Sequence, residues 1–207
     1  ERVKPLELEL LCEKLNHDFS GKITGQGQND ESKRRNFLSK AIAAFVLHEE
    51  TTASLDDAVS ASVDGGLDHG IDAILIDSNH VIWLVQSKYI DTGTGEPELG
   101  DVSKFRDGII DLLEGRFDRF NDAVKGKKAD IENVMNSGIC KVKAILAYSG
   151  TAISDNKREI FSDIERTFND SSPDFIRCYA YGLSTLHELH KSVSYTHLRA
   201  HETTLHL

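Results

Sequence analysis

Apolar positions along this chain follow two periods. Ala73–Ile76 and Val81–Val85 are unbroken apolar runs on either side of Asp77-Ser78-Asn79, and they predict two strands joined by a turn. "KVKAILAYSG" and "FIRCYAYG" predict a third and a fourth strand, the third apolar enough to be buried on both faces. Elsewhere the spacing is helical. A helix from Leu6 to Asp18 follows Pro5, and Leu38, Ile42, Phe45 and Val46 mark one from Lys33 to Glu50. Phe105, Ile109, Leu112, Leu113, Phe117 and Phe120 mark a long amphipathic helix. Ile160, Phe161, Ile164 and Phe168 mark another, and Leu183 to Lys191 closes the series. "GKITGQGQNDES" and "DTGTGEPELGD" read as loops. The order predicts an α/β fold: a mixed β-sheet, made of an antiparallel hairpin followed by βα units, with helices on both faces.

The second strand carries the candidate chemistry. Side chains alternate faces along a strand, so Ile82, Leu84, Gln86 and Lys88 share one face, which turns from apolar to polar at its end. A three-residue turn over Asp77–Asn79 pairs Ile76 with His80 and Asp72 with Leu84. Asp72 then lies one diagonal step from Gln86 on the same face. A two-residue turn sends Asp72 to the opposite face.

An aspartate and an amide carbonyl on one face are hard oxygen donors. With the Ser87 backbone carbonyl they suit Mg²⁺ or Mn²⁺ rather than zinc. Lys88 beside them can orient a water or stabilise negative charge growing on a phosphate. Metal-assisted hydrolysis of a phosphodiester is the expected chemistry, with Asp72, Gln86 and Lys88 as catalytic candidates and Asp72, Gln86 and Ser87 as metal ligands. Each residue also has a plainer reading: Asp72 as a turn cap, Gln86 as a partner of the backbone, Lys88 as a strand-end lysine reaching solvent. Glu49 is a fourth candidate, an acid on the apolar face of its helix and near a C-terminus that disfavours acids. Asp68, in the same Gly-rich loop as Asp72, reads as a turn former.

"GIDAILID…VIWLVQSKY" resembles the core motif of the PD-(D/E)xK nuclease superfamily in its D…QxK version, as in Mrr-type restriction endonucleases. "DGGLDHGIDAI" and "VQSKY" resemble more closely the N-terminal domain of the abortive-infection phage-resistance (AIPR) family. The resemblance spans Asp64 to Tyr89 in wording and extends to about Leu189 in element order. It implies a restriction-endonuclease-like fold and a metal-dependent endonuclease of bacterial anti-phage defence. Asp72, Gln86 and Lys88 would stand at the catalytic positions, and an acid on the first long helix, here Glu49, would be directed at the metal. Gln86 departs from the commoner acid and removes one negative charge, which is compatible with one metal rather than two and with weak or absent activity in isolation. The alternative is a catalytically silent module for nucleic-acid recognition or assembly within a larger defence protein.

Composition narrows this little. The chain has 207 residues and a net charge of -10, which argues against a protein that coats nucleic acid nonspecifically but leaves room for a local basic groove. The expected partner is nucleic acid, DNA ahead of RNA, with no membrane and with a homodimer left open. Lys33, Arg34 and Arg35, and Lys125, Lys127 and Lys128, read first as solvated charge and second as phosphate contacts. Ser103 and Lys104 open the amphipathic helix, whose N-terminus could meet a phosphate. Cys12, Cys140 and Cys178 lack metal spacing and read as free thiols of a cytoplasmic protein. "HELH" (His187 to His190) lacks a third ligand and reads as structural. Residues 1–193 read as one domain, the N-terminal part of a longer protein. Residues 194–207, which hold His197, His201 and His206, read as a non-native tail.

Overall fold

The computed structural model describes residues 4–189. Four strands, β1 (Ala73–Ile76), β2 (Val81–Lys88), β3 (Lys141–Tyr148) and β4 (Ile176–Tyr181), form one sheet in the order β1-β2-β3-β4. β1 is antiparallel to β2, and β2, β3 and β4 are parallel. The mixed sheet expected from the apolar runs is therefore present.

Helices cover both faces. On one face α1 (Leu6–Phe19), α2 (Asp30–Glu50), α3 (Leu55–Ser60) and the helical residues 183–189 pack on Ala73, Trp83, Val85, Ile145 and Ala147. On the other, α4 (Leu99–Leu113), α5 (Asp122–Gly126), α6 (Lys128–Met135) and α7 (Asp155–Asn169) pack on Ile74, Ile82, Leu84, Ala144 and Leu146. Ile82 and Leu84 are fully buried, and each such side chain contributes about 1.5–3 kcal/mol. β2 is thus held rigidly from both sides up to its polar end.

Several boundaries differ from expectation. α2 starts at Asp30 rather than Lys33, because Asn29 and Ser32 form a reciprocal cap. α4 starts at Leu99, inside a segment read as loop. It stops at Leu113, where the Gly115 N–H turns back to the Leu112 carbonyl. Phe117 and Phe120 still reach the core, but Phe117 does so from a short 3-10 turn. The polar stretch after α2 contains α3, capped by Ser54 and Asp57. The far end of the closing helix, His190 of "HELH" and the 194–207 tail lie outside the described residues.

The hairpin turn also differs. The pairs are Ile76 with Ile82 and Ala73 with Val85, so the turn is residues 78–80 and every partner moves by two positions. The cause is Asp77. Its Oδ1 accepts from the Asn79 and Val81 N–H groups, its Oδ2 accepts from Trp83 Nε1, and His80 takes the left-handed position at φ 61°. The turn remains odd in length, so parity is kept. One further step of the register sets Asp72 opposite Gln86 rather than opposite Leu84.

Candidate metal centre

Asp72, Gln86 and Lys88 line one cleft of about 210 Å³ at the C-terminal end of β2, together with Asp64, Asp68 and Lys104. Asp72 stands just before β1. Its Oδ2 accepts from the Ser87 N–H at 2.6 Å and the Ser87 hydroxyl at 3.0 Å, so Ser87 orients this carboxyl. Burial pushes the Asp72 carboxyl up to about 7; the Ser87 N–H lowers it, and the charges of Asp64 and Asp68 raise it further.

Gln86 is buried beneath the cleft, 7% exposed. Its Nε2 donates to the Asp101 carbonyl at 3.1 Å, which fixes the amide's orientation, because the other rotamer would set two carbonyl oxygens together. Its Oε1 is buried and has no hydrogen-bond partner among the described residues. An orphaned carbonyl oxygen of this kind costs about 1–3 kcal/mol unless something takes its lone pairs. Lys88 ends the strand half-exposed and donates to Asp101 Oδ2 at 2.8 Å. Asp101, in the first turn of α4 where acids are favoured, thus holds Gln86 through its backbone and Lys88 through its side chain.

Asp64, Asp68 and Asp72 each bring a carboxylate oxygen within 4.8 Å of the others, and among the described residues this is the one such group of three metal-type ligands. Asp68 forms the turn, as expected, accepting from the Gly65 and Gly70 N–H groups. It also pairs with Lys104 at 2.8 Å, and Asp64 pairs with Lys40 at 3.3 Å. The loop that carries the acids is pinned from below. The Val63 N–H bonds the Asp72 carbonyl, Asn121 bonds the Val63 and Leu67 carbonyls, and His69 Nε2 donates to the Arg119 carbonyl. Gly70, at φ 76°, lies so close to α4 that a Cβ there would meet Phe105 N at 2.9 Å.

Glu49 is not brought to this cleft. The part of α2 near the site is its first half, where Ser39 accepts from the Tyr89 N–H and Lys40 meets Asp64. Glu49 follows Lys40 by nine residues, a rise of about 13 Å along the helix. Its neighbour Glu50 accepts from Tyr181. The helical-wheel reading weighed only the face of α2 and ignored position along its axis. A larger open cleft, about 690 Å³, lies at the opposite end of the hairpin around Ile76, Asp77 and Lys127. We favour the smaller one because, among the described residues, it joins a carboxylate cluster to an orphaned buried acceptor.

Sequence reasoning missed Asp64, Asp101 and Lys40. Asp64, Asp68 and Asp72 recur every four residues through a Gly-rich loop, and that spacing was a usable signal. Asp101 and Lys40 arrive from separate helices and left no local mark. No family model, curated protein or solved structure matches the chain.

Proposed function

We propose that this cleft is the active centre of a metal-dependent phosphodiesterase acting on nucleic acid, in the bacterial-defence setting that the D…QxK wording implies. The observation that carries the reading is the buried, unpartnered Gln86 Oε1 in the same cleft as three clustered carboxylates. That donor set is all hard oxygen and fits Mg²⁺ or Mn²⁺. Asp72, Gln86, Asp64 and Asp68 are the residues to hold it; Asp68 keeps its turn bonds to Gly65 and Gly70, since a carboxylate has lone pairs for both tasks. When bound, such an ion supplies Lewis acidity and a water of lowered pKa.

The chain's own residues do the rest. Hydrolysis joins a water oxygen to phosphorus, breaks one ester P–O bond and returns a proton to the leaving oxygen. Lys88, steered by Asp101, offers an ammonium to the attacking water or to the phosphate oxygens as charge builds. Asp72, oriented by Ser87, would hold such an ion as the carboxylate, so metal binding would be coupled to pH. Gln86 adds a donor without adding charge.

The test is cleavage of DNA and RNA with Mg²⁺ or Mn²⁺, wild type against Lys88→Ala. A loss of about a hundredfold or more in rate is expected, the typical scale for removing a charge-stabilising group. Equal rates would overturn the assignment of Lys88. Nucleic-acid binding without cleavage in the wild type would mark a silent recognition module.

A further inference from the structure

The cleft does not end at Lys88. A second recess of about 380 Å³ continues from Asp64, Asp72, Ser87 and Lys88 to α2, where Arg35 and Lys40 line it. Asp64 and Asp72 belong to both recesses, so one groove crosses the end of β2 from α4 to α2. In a chain of net charge -10 this groove gathers three lysines, and each faces an acid: Lys104 with Asp68 at 2.8 Å, Lys88 with Asp101 at 2.8 Å, Lys40 with Asp64 at 3.3 Å. Two of those acids belong to the carboxylate cluster beside the orphaned Gln86 Oε1.

Lys40 and Lys104 therefore stand on opposite walls and act as internal counter-cations of the cluster. They neutralise acids that would otherwise repel one another and Asp72 within 4.8 Å. Lysine ammonium is a compact point charge that pairs with a phosphate oxygen as readily as with a carboxylate.

We propose that Lys40 and Lys104 are the phosphate-binding residues of this groove, and that they exchange partners when the carboxylates take a divalent cation. The inference rests on the metal-site reading above. Once Asp64 and Asp68 turn to a cation, their ammonium groups lose their partners, and two positive charges flank the end of β2. A sugar–phosphate backbone laid across the strand end meets one on each wall. The cation and the backbone then each bind more tightly in the presence of the other, since each removes the other's competitor. With neither bound, the lysines and acids satisfy one another and the groove has little affinity for polyanions.

Opposite signs in two binding measurements test this. Mn²⁺ is titrated calorimetrically into the full chain as wild type, Lys40→Met and Lys104→Met, substitutions that keep the apolar stem. A phosphorothioate-backbone DNA duplex is then titrated by fluorescence anisotropy in saturating Mn²⁺. Each variant should bind Mn²⁺ about threefold or more tightly, as removal of a competing ion pair implies. Each should bind the duplex about tenfold more weakly, as loss of a charge-assisted contact implies. Lys40→Arg should keep duplex affinity, which separates charge from folding. Mn²⁺ affinity unchanged or weakened in both variants overturns the exchange while leaving the metal site intact. Unchanged duplex affinity overturns the phosphate role. A wild type that binds no Mn²⁺ overturns this inference and the metal-site reading together.

Discussion

At the scale of single residues, Asp72 carries the clearest energetic signature. Its carboxyl titrates near 7 in the folded chain against an ordinary value of 3.8. Between those values the unfolded chain has released a proton that the folded chain keeps, so stability falls as pH rises from about 4 to about 7. The loss is complete above 7 and amounts to at most about 4 kcal/mol. Asp72→Asn can keep an acceptor toward Ser87 and remove the ionisation. In the absence of divalent cations the variant should melt above the wild type at pH 8, with the gap closing toward pH 4. Added Mn²⁺ should reverse the order at pH 8, because only the wild type gains binding energy from a carboxylate ligand. Melting curves at the two pH values, with and without Mn²⁺, check both halves. A wild type more stable than the variant at pH 8 without metal would show that the Asp72 carboxyl is not strained by burial.

At the scale of elements, the acid-bearing loop and α4 form one unit. Gly108 of α4 faces the loop so closely that a Cβ would lie 2.3 Å from the His69 carbonyl oxygen, and His69 itself sits at a positive φ of 53°. Gly108→Ala should therefore destabilise by about 1–3 kcal/mol despite the better helix propensity of alanine. It should also weaken Mn²⁺ binding, by moving Asp68 and Asp72 together. Gly100, on the same helix, has open space around it. Gly100→Ala should be neutral or stabilising by up to about 1 kcal/mol. Urea denaturation of the two variants decides the matter, and destabilisation of equal size in both would show that loop packing is not the cause. The strands were legible in the sequence because unbroken apolar runs leave few alternatives, and the bounds of β1 agree to the residue. The register was not, because Asp77 closes the turn through its own side chain, a choice that periodicity does not encode. Apolar spacing likewise ran past the end of α4, since Phe117 and Phe120 are buried without being helical continuations of it.

At the scale of the whole molecule, the parallel strands β2, β3 and β4 all point their C-terminal ends the same way, and the groove lies at the end of β2. Strand parity in the sequence located Asp72, Gln86 and Lys88 there. The acids and lysines that complete the groove come from the loop before β1, from α2 and from α4, and only the tertiary fold brings them together. No described helix is long and apolar enough to cross a membrane. The basic runs that composition offered as phosphate contacts are largely engaged within the chain: Arg35 with Glu31 and Asp91, Lys33 with Asp30 at 3.9 Å, Lys128 with Glu132 at 3.6 Å. A net charge of -10 also repels a polyanion from the rest of the surface. The proposed nucleic-acid contact would therefore centre on the groove, which Arg35 also lines, and the salt dependence of binding tests that placement. In the proposed reading Lys40, Lys88 and Lys104 would provide three phosphate contacts, and each neutralised phosphate of a duplex contributes about -0.9 to the slope of log K against log salt. At fixed, saturating Mn²⁺ the slope should be about -3 for the wild type and fall by about one unit in Lys40→Met or Lys104→Met. Duplex binding followed by anisotropy across a range of NaCl concentrations measures it. A slope near -6 or steeper would place much of the contact on a broader basic surface, with the runs at Lys33–Arg35 and Lys125–Lys128 as its first candidates.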